Sequence, residues 1–237
     1  SGLSGRRPVV GCRRGCIVSR RISIRGGEIR TIDGAVASQA KDSIDIVIVN
    51  AAPISRSYYD NTYDPNVVKA PVCWSPDTQV PASDVPEGQI QSSRCMDCTQ
   101  NVRGSGQNGG RACRFAQRLA IALPNDLGVV YRLQLPATSI YGRGSNGDMP
   151  LQEYVKFLSA RDSVATGVVT KMYVDKESVV PKLYFKAVRP LTEDELDVVD
   201  VVISGDDSLE AIRQDAYKPP ESSNPFGVVD GFDIDAN

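Results

Sequence analysis

The chain has 237 residues, 41% apolar and 24% charged, with a formal net charge of −2. That balance fits a folded, water-borne chain with room for one substantial domain carrying an insertion, or for two small ones. No apolar run approaches the roughly 18 residues that a membrane helix needs, and the arginine-rich N-terminus has no apolar stretch behind it. Neither a membrane span nor a secretory signal is therefore expected, and the six cysteines are expected reduced, in a cytoplasmic setting (host cytoplasm if the chain is phage-encoded). The chain has no histidine, which removes the usual acid–base group near neutral pH and forces any metal site onto sulfur and carboxylate.

Charge is distributed unevenly. Residues 1–30 carry eight arginines against Glu28, a balance of +7. Residues 191–237 carry thirteen acids against Arg213 and Lys218, a balance of −11, which leaves the middle at +2. A basic body with an acidic end points to a polyanion partner and to a tail that competes with it or recruits proteins.

In chain order, residues 1–19 read as a flexible basic arm in which Cys12 and Cys16 are plain thiols, since two ligands do not make a metal site. Ile22, Ile24, Ile29 and Ile32 flank Gly26-Gly27, the pattern of a β-hairpin whose turn needs positive φ. The run IDIVIV from Ile44 to Val49 reads as a buried strand. Tyr58, Tyr59 and Tyr63 follow, between Arg56 and Lys69; they suit core packing or a stacking platform for bases equally well.

From Cys73 to Cys113 the chain is rich in Gly, Ser, Pro, Gln and Asn and poor in core-forming residues. A polar segment of that length stays open unless something fastens it. Cys95 and Cys98 have the two-residue gap of a zinc knuckle, and Cys73 and Cys113 bracket the segment. Four thiolates on one metal would fasten it. Zinc suits the spacing, and an iron–sulfur cluster takes the same four ligands; four unrelated thiols, or a disulfide within the loop, are the plainer readings.

Beyond Cys113, Arg114 to Leu123 reads as a helical or strand face entering the core. Pro124-Asn125-Asp126 reads as a turn, Val129 to Leu135 as a strand ended by Pro136, and residues 142–148 as a loop. Leu151, Tyr154, Val155 and Leu158 fall at helical spacing. Val164 to Val174 and Pro181 to Val188 suggest a second hairpin. Thr192 with Glu195 forms a capping box opening a helix to about Val202, and periodicity is lost from Ser204. The expected fold is mainly β with minor α: an OB-like Greek-key barrel over residues 20–203, a metal-stapled, zinc-ribbon-like insertion at 71–115, the arm, and an acidic disordered tail over 204–237.

The succession APVCWSPD, QSSRCMDCTQNVRGSG, RACRFAQRLAIAL and YRLQLPATSIYG resembles a group of bacteriophage single-stranded DNA-binding proteins. The resemblance covers roughly residues 20–200 and is strongest over 71–141. In plan the chain is also similar to the T4-type helix-destabilising proteins, which carry a zinc subdomain inserted in an OB-fold, a basic arm for cooperativity and an acidic tail for partners. The resemblance implies one structural zinc per chain on Cys73, Cys95, Cys98 and Cys113, although the T4-type site includes a histidine and this chain has none.

The expected function is sequence-tolerant binding of single-stranded DNA in phage replication or recombination, without catalysis. Tyr58, Tyr59, Tyr63, Trp74 and Tyr141 are the candidate stacking rings. Arg56, Lys69, Arg94, Arg103, Arg111, Arg114 and Arg143 are the candidate phosphate contacts. Phe232, Asp233, Ile234 and Asp235 in the tail are candidates to bind replication or recombination proteins, and self-association is open. A zinc-stapled structural or protein-interaction domain is the alternative from another class. A metal- or iron–sulfur-dependent nuclease is a third; Asp42 with Asp45, and Asp175 with Glu177, lack the spacing of such an enzyme.

Overall fold

The computed structural model describes residues 20–60, 70–144 and 147–214. Of the described residues strand makes up 38% and helix, 3-10 turns included, 25%, so this part of the chain is mainly β. β1 (Arg21–Arg25) and β2 (Glu28–Asp33) form the expected hairpin. Gly26 and Gly27 sit at φ +61° and +74°, the left-handed pair that a two-residue turn requires and that side chains resist. β3 (Val36–Ala37) extends this edge.

β4 (Ser43–Ala51) is the hinge of the sheet. Its first half pairs with β9 (Val168–Val174) and its second half with β7 (Cys113–Leu123), with a register shift between Ile48 and Asn50. The apolar run has no polar alternation because both faces are covered. Ile46 and Ile48 enter one core with Leu119, Ile121 and Leu133, and Val47 and Val49 enter a second with Ala120, Val130 and Val199.

β5 (Ser55–Tyr58) pairs with β6 (Cys73–Ser75) on one side and with the start of β7 on the other. β7 returns through Pro124-Asn125 into β8 (Asp126–Pro136). The stretch from Arg114 to Leu123, open to helix or strand by sequence, is therefore strand. β10 (Leu183–Pro190) completes the second hairpin with β9; the part of that segment from Ala165 to Gly167 is a single 3-10 turn. The main hydrogen-bonded order is β10-β9-β4-β7-β8-β1-β2-β3, and the sheet curls into a half-barrel.

A short helix α1 (Ala137–Ile140) follows β8. Helix α2 (Leu151–Ser159) buries Leu151, Tyr154 and Leu158 against the first core, where the Tyr154 hydroxyl meets Thr170 Oγ1 at 2.6 Å. Helix α3 (Glu193–Ile203) starts at the expected capping box on Thr192 and Glu195. Helix α4 (Asp206–Ile212) lies where the sequence reading begins the disordered tail, so residues 204–214 fold onto the sheet instead. Arg132 explains why: from β8 its guanidinium donates to the carbonyls of Ala211 at 3.1 Å and Glu210 at 2.8 Å, satisfying the end of α4. No helix among the described residues is long and apolar enough to cross a membrane.

Candidate nucleic-acid groove and thiol cavity

Sheet register builds the site. Tyr58 pairs with Cys73 on one side and Cys113 on the other, and Arg56 pairs with Ser75 and Phe115. Side chains two residues apart share a face of a strand, so Cys73, Tyr58, Cys113, Ser75, Arg56 and Phe115 project from one face of the β6-β5-β7 ribbon. The segment between β6 and β7 folds over that face in single 3-10 turns, including Cys95–Asp97 and Thr99–Asn101. Asp77 fixes its first bend by accepting from the Gln79 amide at 2.9 Å and the Ser75 hydroxyl at 3.1 Å, bonds that hold its carboxyl below its ordinary range. The Cys95 amide then donates to the Gln79 carbonyl at 2.9 Å.

This segment holds almost no core of its own: Val85 and Cys98 are its buried apolar residues. Cys73, Cys95, Cys98 and Cys113 are free thiols, so no disulfide closes the loop. All four line one cavity of about 20 Å³, walled also by Arg56, Tyr58 and Trp74. That is room for one water-sized sphere. Among the described residues no group of three or more His, Cys, Asp or Glu has its ligating atoms gathered as around a bound ion. Burial pushes the Cys113 thiol up to about 12, its three sulfur neighbours add to this, and Arg56 opposes it. Burial likewise raises Cys73.

Against the same ribbon lies a groove of about 1010 Å³. Tyr58, Tyr59 and Phe115 supply its rings, Arg103, Arg111 and Arg114 its cations, and Asp60 is the carboxylate on its wall. The three arginines are exposed, and none forms a salt bridge among the described residues. Phe115 is the hub: Arg56 sits 4.3 Å and Arg111 6.0 Å from its ring centre, and Tyr141 meets it edge-on at 5.6 Å. Cys113 and Tyr58 line both the groove and the thiol cavity.

Gly106 is needed for the loop that carries Arg103 and Arg111. A Cβ there would lie 2.7 Å from the Ala112 nitrogen and the Arg111 carbonyl carbon, closer than backbone atoms allow.

The sequence-predicted residues divide into four groups. Tyr58, Tyr59, Arg103, Arg111 and Arg114 meet in the groove, and Tyr141 flanks it through Phe115. Arg56, expected to touch phosphate, is instead 8% exposed and donates to the Cys95 carbonyl at 3.2 Å; with Trp74 it belongs to the cavity wall. Arg94 is exposed beside Asp97 at 3.6 Å, and Arg143 is exposed in the loop after Tyr141. Cys12, Cys16, Tyr63, Lys69, Phe232, Asp233, Ile234 and Asp235 lie outside the described residues.

Phe115 was missed as a groove residue because the apolar stretch around it reads as core; only its register partner Arg56, unknowable from sequence, marks it. Of the carboxylates weighed for catalysis, Asp42 pairs with Lys176 at 2.5 Å and Asp175 with Lys182 at 3.3 Å. Comparison with protein-family models, curated proteins and solved structures gives no match.

Proposed function

We propose that the protein binds single-stranded nucleic acid, DNA in the first instance, in the groove between the β6-β5-β7 ribbon and the loop ending at Cys113. The observation that carries this reading is that three rings (Tyr58, Tyr59, Phe115) and three arginines with no salt bridge among the described residues (Arg103, Arg111, Arg114) line one open groove. Arginines exchange condensed counterions for phosphates, and rings accept bases of any identity by stacking, at about 1–3 kcal/mol per base. An open strand offers its base faces and a duplex does not, so the groove favours unpaired strands with little sequence preference. The half-barrel is in keeping with an OB-like fold, and the whole plan with a phage single-stranded DNA-binding protein whose acidic end recruits replication or recombination proteins.

The four thiols fit a structural metal ion, zinc before an iron–sulfur cluster. The cavity matches one ion in size, four cysteines line it, and the loop has little core to hold it otherwise. Bound there, the ion supplies a cross-link; with four sulfurs around it no position is left for an activated water. Cys113 and Tyr58 would carry its rigidity into the groove wall.

The test is fluorescence anisotropy of labelled oligo-dT with the full chain, beside metal analysis of the purified protein. Tight, salt-steep binding with one zinc per chain is expected. Absence of binding at low salt refutes the nucleic-acid reading. Zinc without binding would favour a stapled protein-interaction domain, and cleavage of the oligonucleotide a nuclease.

A further inference from the structure

Arg56 is a buried cation without a counter-ion among the described residues. Its residue is 8% exposed, and among the described residues no carboxylate pairs with it. Its Nη1–H donates to the Cys95 carbonyl at 3.2 Å and its guanidinium lies over Phe115 at 4.3 Å. Its Nε is buried with no hydrogen-bond partner among the described residues. A guanidinium taken out of water costs several kcal/mol unless an opposite charge and acceptors surround it. The groups that share its cavity are the four cysteines, with Tyr58, Trp74, Ser75, Pro81, Gln91 and Ser92. Of these only the cysteine sulfurs become anionic on taking up a metal ion, which they ligate as thiolates.

We propose that Arg56 is the built-in counter-charge of a thiolate–metal cluster on Cys73, Cys95, Cys98 and Cys113, with its free Nε–H donating to a cluster sulfur. The inference rests on the metal reading given under Proposed function. Four thiolates around a divalent ion carry about two net negative charges, and a buried guanidinium offsets half of that. The same side chain explains how the site is oriented: β5 register delivers Arg56 between Ser75 and Phe115, and its bond to the Cys95 carbonyl holds the first cysteine of the knuckle. Partners of this kind beside metal ligands are worth about 10–100-fold in metal affinity. Arg56 is thus a positioning residue for metal, not a contact for phosphate.

The experiment uses the full chain, wild type, Arg56→Met and Arg56→Lys, each stripped of metal under reducing conditions and titrated with Zn2+ against a chromophoric chelator. Thermal unfolding is recorded with and without Zn2+. Arg56→Met is expected to lose about 10–100-fold in zinc affinity, with Arg56→Lys recovering part of the loss through its charge. Without metal, Arg56→Met should unfold at the wild-type temperature or above, because an uncompensated buried charge has gone; with zinc it should unfold below wild type. A sulfur-to-cobalt absorption band that shifts in Arg56→Met and not in an exposed control, Arg94→Met, supports the Nε–H contact. Wild-type zinc affinity in Arg56→Met, or an equal loss of stability with and without metal, overturns the proposal and leaves Arg56 as a clamp on Phe115. Failure of wild type itself to take up Zn2+ overturns the metal reading, and this assignment with it.

Discussion

Replacing Arg103, Arg111 and Arg114 together by Gln isolates the electrostatic part of the groove. All three line it, all are exposed, and none is tied into a salt bridge among the described residues, so the change should leave the melting temperature nearly unmoved. For single strands each neutralised phosphate contributes about 0.7 to the slope of log affinity against log salt, so three contacts contribute about 2. Between 50 and 200 mM salt that share of the slope is worth a factor of about 20 in affinity. The triple variant should therefore bind oligo-dT more weakly at low salt, and the gap to wild type should shrink by about that factor as salt rises. Anisotropy titrations at four or five salt concentrations read both slopes. A triple variant with the wild-type slope would mean the phosphates run elsewhere, and the groove would lose its assignment.

Phe115→Ala and Tyr59→Ala should each weaken oligonucleotide binding by about 1–3 kcal/mol at fixed salt while leaving the salt slope unchanged; a changed slope with unchanged stacking would reverse the roles given to rings and cations. Gly106→Ala forces a Cβ against the Arg111–Ala112 backbone, so it should increase protease cleavage in the loop before Cys113 and weaken binding; a loop as resistant as wild type would refute that contact. Glu195 is drawn from its ordinary 4.5 to about 2 chiefly by its two-pronged bond with Arg189, at 2.7 Å for each prong, and by the Thr192 amide. Its folded pKa is depressed, so its contribution is present above about pH 4.5 and is lost as pH falls toward 2. Acid unfolding of Glu195→Gln should accordingly be flatter across that window than wild type, and an identical profile would remove the pair from the stability account. Removing residues 215–237, which spares α4, should tighten oligonucleotide binding at low salt if the acidic end competes for the groove; unchanged affinity would exclude competition.

The sequence made plain those elements whose local pattern and tertiary role agree. The Gly26-Gly27 turn, the IDIVIV strand, α2 and the Thr192 capping box each announce themselves within a dozen residues, and the fold follows them. Long-range pairing decided the rest. Helix α4 has only Leu209, Ala211 and Ile212 as apolar residues, and it forms because Arg132, some eighty residues earlier, closes its end. The stretch from Arg114 to Leu123 suits helix or strand until β4, β5 and β8 claim it as a ladder partner. Arg56 reads as a surface cation beside tyrosines, and only the register of β5 between β6 and β7 turns it inward.

That register also joins the two halves of the site. Tyr58 stands between Cys73 and Cys113 on adjacent strands, so a side chain of the groove is flanked on both sides by walls of the thiol cavity. Any agent that draws Cys73 and Cys113 together acts on Tyr58, and through the next residues of β7 on Arg114 and Phe115. An ion held by the four sulfurs would therefore act on affinity through rigidity, restricting rings and cations that otherwise lose rotamer freedom when a strand binds, at about 0.5–1.5 kcal/mol per side chain. Stripping the metal should thus reduce oligonucleotide affinity without altering the salt slope, because the charges lining the groove stay the same. A changed slope would instead mean that the loop carrying Arg103 and Arg111 had left the groove, and that the ion places the cations as well as stiffening them.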